Sequence, residues 1–193
     1  MPADFTLRPL DPVAGGPALH TIFGDEESCR YITRPATASV AETIGMLAEW
    51  TEGCADTSWA IANTADGPAL GRVSVYPRGK NDVWDVACMI SPAARGRNLA
   101  ARAAALALDD VFARKGARRI VADIDPDNPA SIRTFEKLGF TLEGRLGGEW
   151  EMHIGTRDSL IYGLLHDDPR LWQNDPGEND RGGHGLYRRA GDC

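Results

Sequence analysis

The run Arg95-Gly96-Arg97-Asn98-Leu99-Ala100 joins a short apolar segment to a long alanine-rich one, and such a junction can bind an anion. Backbone N–H groups at a strand-to-helix turn point outward, and the helix dipole favours negative charge there. Gly96 admits a phosphate close to the backbone, and Asn98 is among the few non-glycine residues that tolerate positive φ. Arg95 and Arg97 add charge where a diphosphate would sit. The turn is the centre of a basic island. Between Ala93 and Arg119, seven Arg or Lys residues face only Asp109 and Asp110, in a chain whose formal net charge is -7. That contrast points to a local anionic ligand. The competing reading is an exposed basic turn that binds nothing.

Other chemistries lose ground on the same inspection. His20, His153, His166 and His184 are dispersed, Cys29, Cys54, Cys88 and Cys193 show no C-x-x-C spacing, and neither H-E-x-x-H nor a Cys/His cluster suggests a metal. Neither G-x-x-x-x-G-K-[ST] nor G-x-S-x-G occurs. Scattered cysteines in 193 residues read as reduced thiols of a cytoplasmic protein. The segment from Met1 to Leu10 carries Asp4 and Arg8 in place of a signal peptide's apolar run, and Arg102, Asp109 and Asp110 interrupt the longest apolar stretch, so no membrane partner is expected. A composition 42% hydrophobic and 25% charged suits one soluble domain. Its acidic balance, and a basic island without interleaved aromatics, argue against nucleic acid as a partner.

The elements that must position the turn follow from periodicity. Phe5 to Leu10 reads as a strand, Pro12, Gly15, Gly16 and Pro17 as a loop, and Leu19 to Phe23 as a short helix. Ser39 and Glu42 have capping-box spacing for a helix with Val40, Ile44 and Leu47 on one face, ending near Trp50 and Gly53. Ser58–Ala62, Ala69–Tyr76 and Asp82–Ile90 follow as strands. Ala100, Ala104, Ala107, Leu108 and Val111 form the apolar stripe of a long helix that Gly116 ends. Arg118–Ile124 is a strand, and Pro129 opens a brief helix with Ile132, Phe135 and Leu138 inward. Further strands are expected from Phe140, over Trp150–Ile154 and over Ser159–Leu164. Strand, helix, strand, helix, strand between Val83 and Leu142 requires crossovers and some parallel pairing. Beyond His166 the composition turns to Gly, Asp, Asn and Arg, which divides the chain into a domain over 1–166 and a flexible tail over 167–193.

Two segments together resemble a known family. Ser91-Pro92-Ala93-Ala94-Arg95-Gly96-Arg97-Asn98-Leu99-Ala100 resembles the acyl-CoA pyrophosphate motif of the GNAT acetyltransferases. Asp127-Asn128-Pro129-Ala130-Ser131-Ile132-Arg133-Thr134-Phe135-Glu136-Lys137-Leu138-Gly139-Phe140 is similar to their second motif, N-x-x-S-x-x-x-x-E-K-x-G-F. The two occur in the family's order with a strand between them, and the likeness is nearest the RimJ/RimL-like group. It departs from the family at two points. Asn98 stands at the second glycine of R-G-x-G-x-A, and Phe135 stands nearest the tyrosine that commonly protonates the leaving thiolate.

The resemblance implies an α+β fold: a mixed, mostly antiparallel central sheet flanked by helices, with a V-shaped splay between two central parallel strands. It implies acyl-CoA-dependent N-acylation, most simply from acetyl-CoA as co-substrate to a primary amine, with no metal. Cys88, Met89, Ile90, Arg95, Gly96, Arg97, Asn98, Leu99, Ala100 and Asn128 are the implied CoA-binding residues. The implied catalytic residues are Ser131 for the thiolate and Asp85 or Glu151 for the amine proton, with Glu149 as a rival. Cys88 reads as a small buried hydrophobe, and Phe135 as core. The acceptor is left open among a small-molecule amine, an antibiotic and a protein N-terminus, and a second copy of the chain is an open partner as a homodimer. A catalytically silent CoA-binding or interaction module is the alternative, kept in view by Phe135.

Overall fold

The computed structural model describes residues 4–79 and 81–174. Seven strands form one sheet in the order β1 (Thr6–Pro9), β2 (Ser58–Ala62), β3 (Ala69–Pro77), β4 (Val83–Ile90), β5 (Arg119–Ile124), β7 (Gly155–Leu165), β6 (Thr141–Met152). Every pairing is antiparallel except β4 with β5, which the crossover helix α4 (Leu99–Lys115) makes parallel. This is the mixed α+β architecture expected above.

The pleat separates the two faces of the sheet. Trp59, Ile61, Val73 and Val75 belong to the core under α4, with Ala103, Ala104, Ala107, Leu108 and Val111. Alanine lets that helix sit close on the strands, and Leu99, Ala101 and Ala105 are buried as well, so its buried face is wider than the expected stripe while Ala100 is only half-buried. On the other face Ala60, Ala69 and Met89 pack against α1 (Pro12–Phe23) and α3 (Val40–Thr51) through Leu19, Phe23, Met46 and Leu47.

Several sequence expectations are corrected. Pro12, Gly15, Gly16 and Pro17 are not a loop but the first half of α1, started by Asp11, whose carboxylate accepts from the N–H groups of Val13 and Ala14 at 2.8 and 3.1 Å. Glycine is needed there because a Cβ on Gly16 would stand 2.4 Å from Ile44 Cγ1 of α3. Helix α3 is capped by Ser39 as expected, but Thr43, Met46 and Leu47 face inward and Val40 is exposed. The strands expected near Phe140 and at Trp150–Ile154 are one twelve-residue strand, β6, paired with β7 across a tight turn at 153–154. The segment after Leu165 packs back on the end of α4. Arg170 lies 4.0 Å from the Phe112 ring centroid, and Trp172 Nε1 donates to Asp109 at 3.0 Å. The remainder of the expected tail, 175–193, lies outside the described residues. Among the described residues no helix is long and apolar enough to cross a membrane.

Candidate active site

Strands β4 and β5 pair only through Val83↔Arg119, Trp84↔Ile120 and Asp85↔Val121. Beyond Asp85 they diverge, so Val86–Ile90 has no ladder partner on its β5 side and Ala122–Ile124 none on its β4 side. This is the V-shaped splay, and it leaves backbone donors and acceptors free in the middle of a sheet, where they demand a partner. A cleft of about 1190 Å³ runs through it.

At one end of the cleft lies the turn before α4. Gly96 has φ +80° and Asn98 φ +56°, so both take the left-handed conformation. Asn98 tolerates it, and its side chain makes no cap. The first N–H groups of a seventeen-residue helix are thereby left without internal partners and open to an anion. Arg95 lines the cleft and donates to Ser28 Oγ at 2.6 Å. Arg97 does not line it: its guanidinium turns to Asp4 and to Asn63 Oδ1, the latter at 3.1 Å. The rest of the basic island is also spent elsewhere. Arg102 pairs with Asp4, Arg114 and Lys115 with Asp56, and Arg119 with Glu143. A seventeen-residue helix is about 25 Å long, so the charges at its C-terminal end cannot share an anion with Arg95. The island is therefore not one cradle.

Of the other expected CoA residues, Cys88, Met89, Ile90, Gly96, Asn98, Leu99, Ala100 and Asn128 all line the cleft, and so does Ser131. Asn128 caps α5 (Pro129–Lys137), its Oδ1 accepting from Ser131 N at 3.1 Å, and thereby fixes where Ser131 stands. Cys88 faces α4, its Sγ 3.8 Å from Ala100 O, and burial pushes its thiol up to about 12, which keeps it protonated and unreactive. Phe135 is core, edge-on to Phe140 at 5.1 Å.

The carboxylates sort themselves by position. Asp85 lies in the cleft at the point of the splay, and its oxygen is 2.7 Å from Arg78 Nη1. Its pKa is raised: burial outweighs the stabilising Arg78 guanidinium, and Asp123 adds repulsion. Asp123, opposite on β5, is 4.0 Å from the same guanidinium and accepts from Trp150 Nε1 and from Ser159 Oγ. Glu151 and Glu149 do not reach the cleft. Glu151 accepts from Thr156 Oγ1 at 2.8 Å on the exposed β6–β7 hairpin.

Several residues in or beside the cleft are not legible as a site in the sequence. Asp123 and Arg78 acquire meaning only when β5 and the end of β3 are placed beside β4. Tyr76 is register-paired with Asp85, and burial, with Asp85 near, pushes its phenol up to about 12. Arg72 carries a legible signal, the one charged residue in the mostly apolar strand Ala69–Tyr76. The splayed parallel pair beside the N-terminal turn of the crossover helix is the arrangement that the resemblance to the acyltransferases implies. The profile of the acetyltransferase (GNAT) domain matches residues 4–141, and the chain belongs to that family.

Relatives span diverse amines. Spermidine N(1)-acetyltransferase of Escherichia coli K12 is 39% identical over 72 residues, 37% of this chain and 39% of that enzyme's length, well short of the whole. L-2,4-diaminobutyric acid acetyltransferase of Streptomyces avermitilis is 33% identical over 135 residues, 66% of this chain and 69% of its own. Spermidine N-acetyltransferase from Vibrio cholerae, solved with CoA and spermine, superposes with a TM-score of 0.71 at 19% identity, covering 85% of this chain and 96% of that one.

Proposed function

We propose that the protein is a cytoplasmic, acetyl-CoA-dependent N-acetyltransferase of the RimJ/RimL-like group acting on a small primary amine. The observation that carries this reading is that one cleft joins the anion-binding turn, the unpaired edge of β4 and a half-buried carboxylate. The relatives that acetylate polyamines and a diamino acid support the choice of a small amine over a protein N-terminus.

Acetyl-CoA supplies the activated acyl group. The amides at Gly96–Ala101 and Arg95 hold its phosphates, and the free edge at Cys88–Ile90 orients the thioester carbonyl and stabilises charge on its oxygen. Asp85 takes a proton from the ammonium, and the raised affinity that burial gives it suits that task. The amine nitrogen then bonds to the carbonyl carbon, the C–S bond breaks, and the proton that the nitrogen sheds reaches the sulfur through Ser131 or the Tyr76 phenol, both of which line the cleft. Glu151, outside the cleft, is given no step.

The test is release of CoA thiol from acetyl-CoA across a panel of amines, with thermal unfolding as a binding readout. Acetyl-CoA should raise the melting temperature. Asp85→Asn should lower kcat by about 100-fold or more while leaving that thermal shift in place. No shift and no thiol release with any amine would overturn the reading.

A further inference from the structure

Arg72 is only 4% exposed, yet it lines the cleft. Its Nη2 donates to Ser74 Oγ at 2.7 Å, and the guanidinium lies 5.2 Å from the Trp50 ring centroid. Its Nη1 is buried without a hydrogen-bond partner, and no carboxylate among the described residues pairs with it. The acidic groups that act on it are Tyr76, Cys54 and Cys88, a phenol and two thiols rather than carboxylates. A guanidinium cannot escape its charge by losing a proton near neutral pH, so a buried one without a counterion is costly to keep. That cost is understandable where a ligand supplies the missing anion.

Its position says what that anion belongs to. In the β3–β4 register Arg72 is opposite Met89, Ser74 opposite Ala87 and Tyr76 opposite Asp85, so Arg72 and Asp85 share one face. It is the face covered by α1 and α3, away from α4, whose N-terminal turn holds the phosphate end of the cleft. Four residues of strand, about 13 Å at ~3.3 Å each, separate the two backbone levels, and the Arg72 side chain leans back along that span to Ser74. The acceptor side of the cleft thus offers a cation and an acid to one molecule.

We propose that Arg72 binds a carboxylate on the amine acceptor, so that the substrates are amino acids or diamino acids rather than plain polyamines. The proposal rests on the acetyl-transfer reading above. A guanidinium whose Nη1 has no partner keeps a charged donor to spare for a carboxylate, whereas it repels a polyamine's second charge.

The test compares each amino acid with the amine that remains when its carboxylate is removed: 2,4-diaminobutyrate with 1,3-diaminopropane, lysine with 1,5-diaminopentane. Wild type should favour the carboxylate partner by about 100-fold in kcat/KM, the scale of a lost charged hydrogen bond. Arg72→Met should erase that preference by raising KM for the amino acid and, because the second ammonium is no longer repelled, by leaving the decarboxylated amine used as well as before or better. Should Arg72→Met fail to fold, wild type itself serves: butyrate should compete with the amino acid and not with acetyl-CoA. Equal use of both members of each pair, a preference that survives Arg72→Met, or butyrate that does not compete would each overturn the proposal. So would a requirement for succinyl-CoA in place of acetyl-CoA, which would put the carboxylate on the acyl group. Transfer to the decarboxylated amines alone refutes the role of Arg72 and leaves the acetyltransferase reading intact, whereas no thiol release with any amine refutes that reading.

Discussion

Arg95 and Arg97 are two residues apart and equivalent in sequence, but the fold gives them different partners, and charge reversal should separate them. Arg95 is exposed at the mouth of the cleft, held toward it by Ser28 Oγ. A unit charge 4 Å from a phosphate oxygen in solvent is worth about 1 kcal/mol, not the ~4 kcal/mol of a half-desolvated pair. Arg95→Glu exchanges that attraction for an equal repulsion, about 2 kcal/mol in all, or roughly 30-fold in Kd at 1.4 kcal/mol per tenfold. Arg97 spends its charge on Asp4 and Asn63, so Arg97→Glu should change CoA affinity by less than about threefold, with a small stability loss of the size usual for surface pairs. Titration calorimetry of CoA into each variant reads the difference. Repeating it near 1 M salt, where the Debye length shrinks to about 3 Å, should shrink the Arg95 effect. An Arg97→Glu loss equal to or greater than that of Arg95→Glu would refute the assignment of the phosphate end to the Arg95 side of the turn.

Two further outcomes follow from burial. Asp85 holds its proton more tightly in the folded chain than its ordinary value of 3.8, so its ionisation costs stability as pH rises from that value through the raised one. Asp85→Asn should therefore melt higher than wild type at pH 7, with the gap closing below about pH 4, although it loses activity; a variant less stable at pH 7 would show that the Arg78 pair outweighs burial. Trp172→Phe removes the indole donor to Asp109, a half-buried carboxylate whose pKa burial raises, and should cost about 1.5 kcal/mol, or roughly 3–6 °C of melting temperature by calorimetry. No change would mean that the Trp172–Asp109 hydrogen bond contributes nothing to the stability of the domain.

Local chemistry was legible where it depends on neighbours in the chain. The left-handed turn at Asn98, the Ser39 cap, the start of α5 at Pro129, the helix from Leu99 and the parallel crossover are each consequences of a few adjacent side chains, and they locate the turn proposed to hold the phosphates. Glycine and proline usually mark turns, so Pro12–Pro17 reads as a loop in the sequence, whereas in the fold α1 needs glycine to approach α3. The strands of the β6–β7 hairpin were misdivided because Gly144, Gly147 and Gly148 interrupt a single strand. Charge partners were not legible at all. Whether an arginine meets a phosphate, as proposed for Arg95, or Asp4, as Arg97 does, depends on residues about ninety positions away.

The sequence by itself determined the family's two motifs, the order of elements between them and the carboxylate on β4, because those follow from periodicity and backbone preference within a few residues. Only the tertiary structure decided that Asp85 and Asp123 share Arg78 across the splay, that Glu151 stays on the hairpin, and that Arg72 is buried in the cleft without a counterion among the described residues. The reason is physical: charge–charge and desolvation energies depend on distance through space, and strands far apart in the chain set those distances.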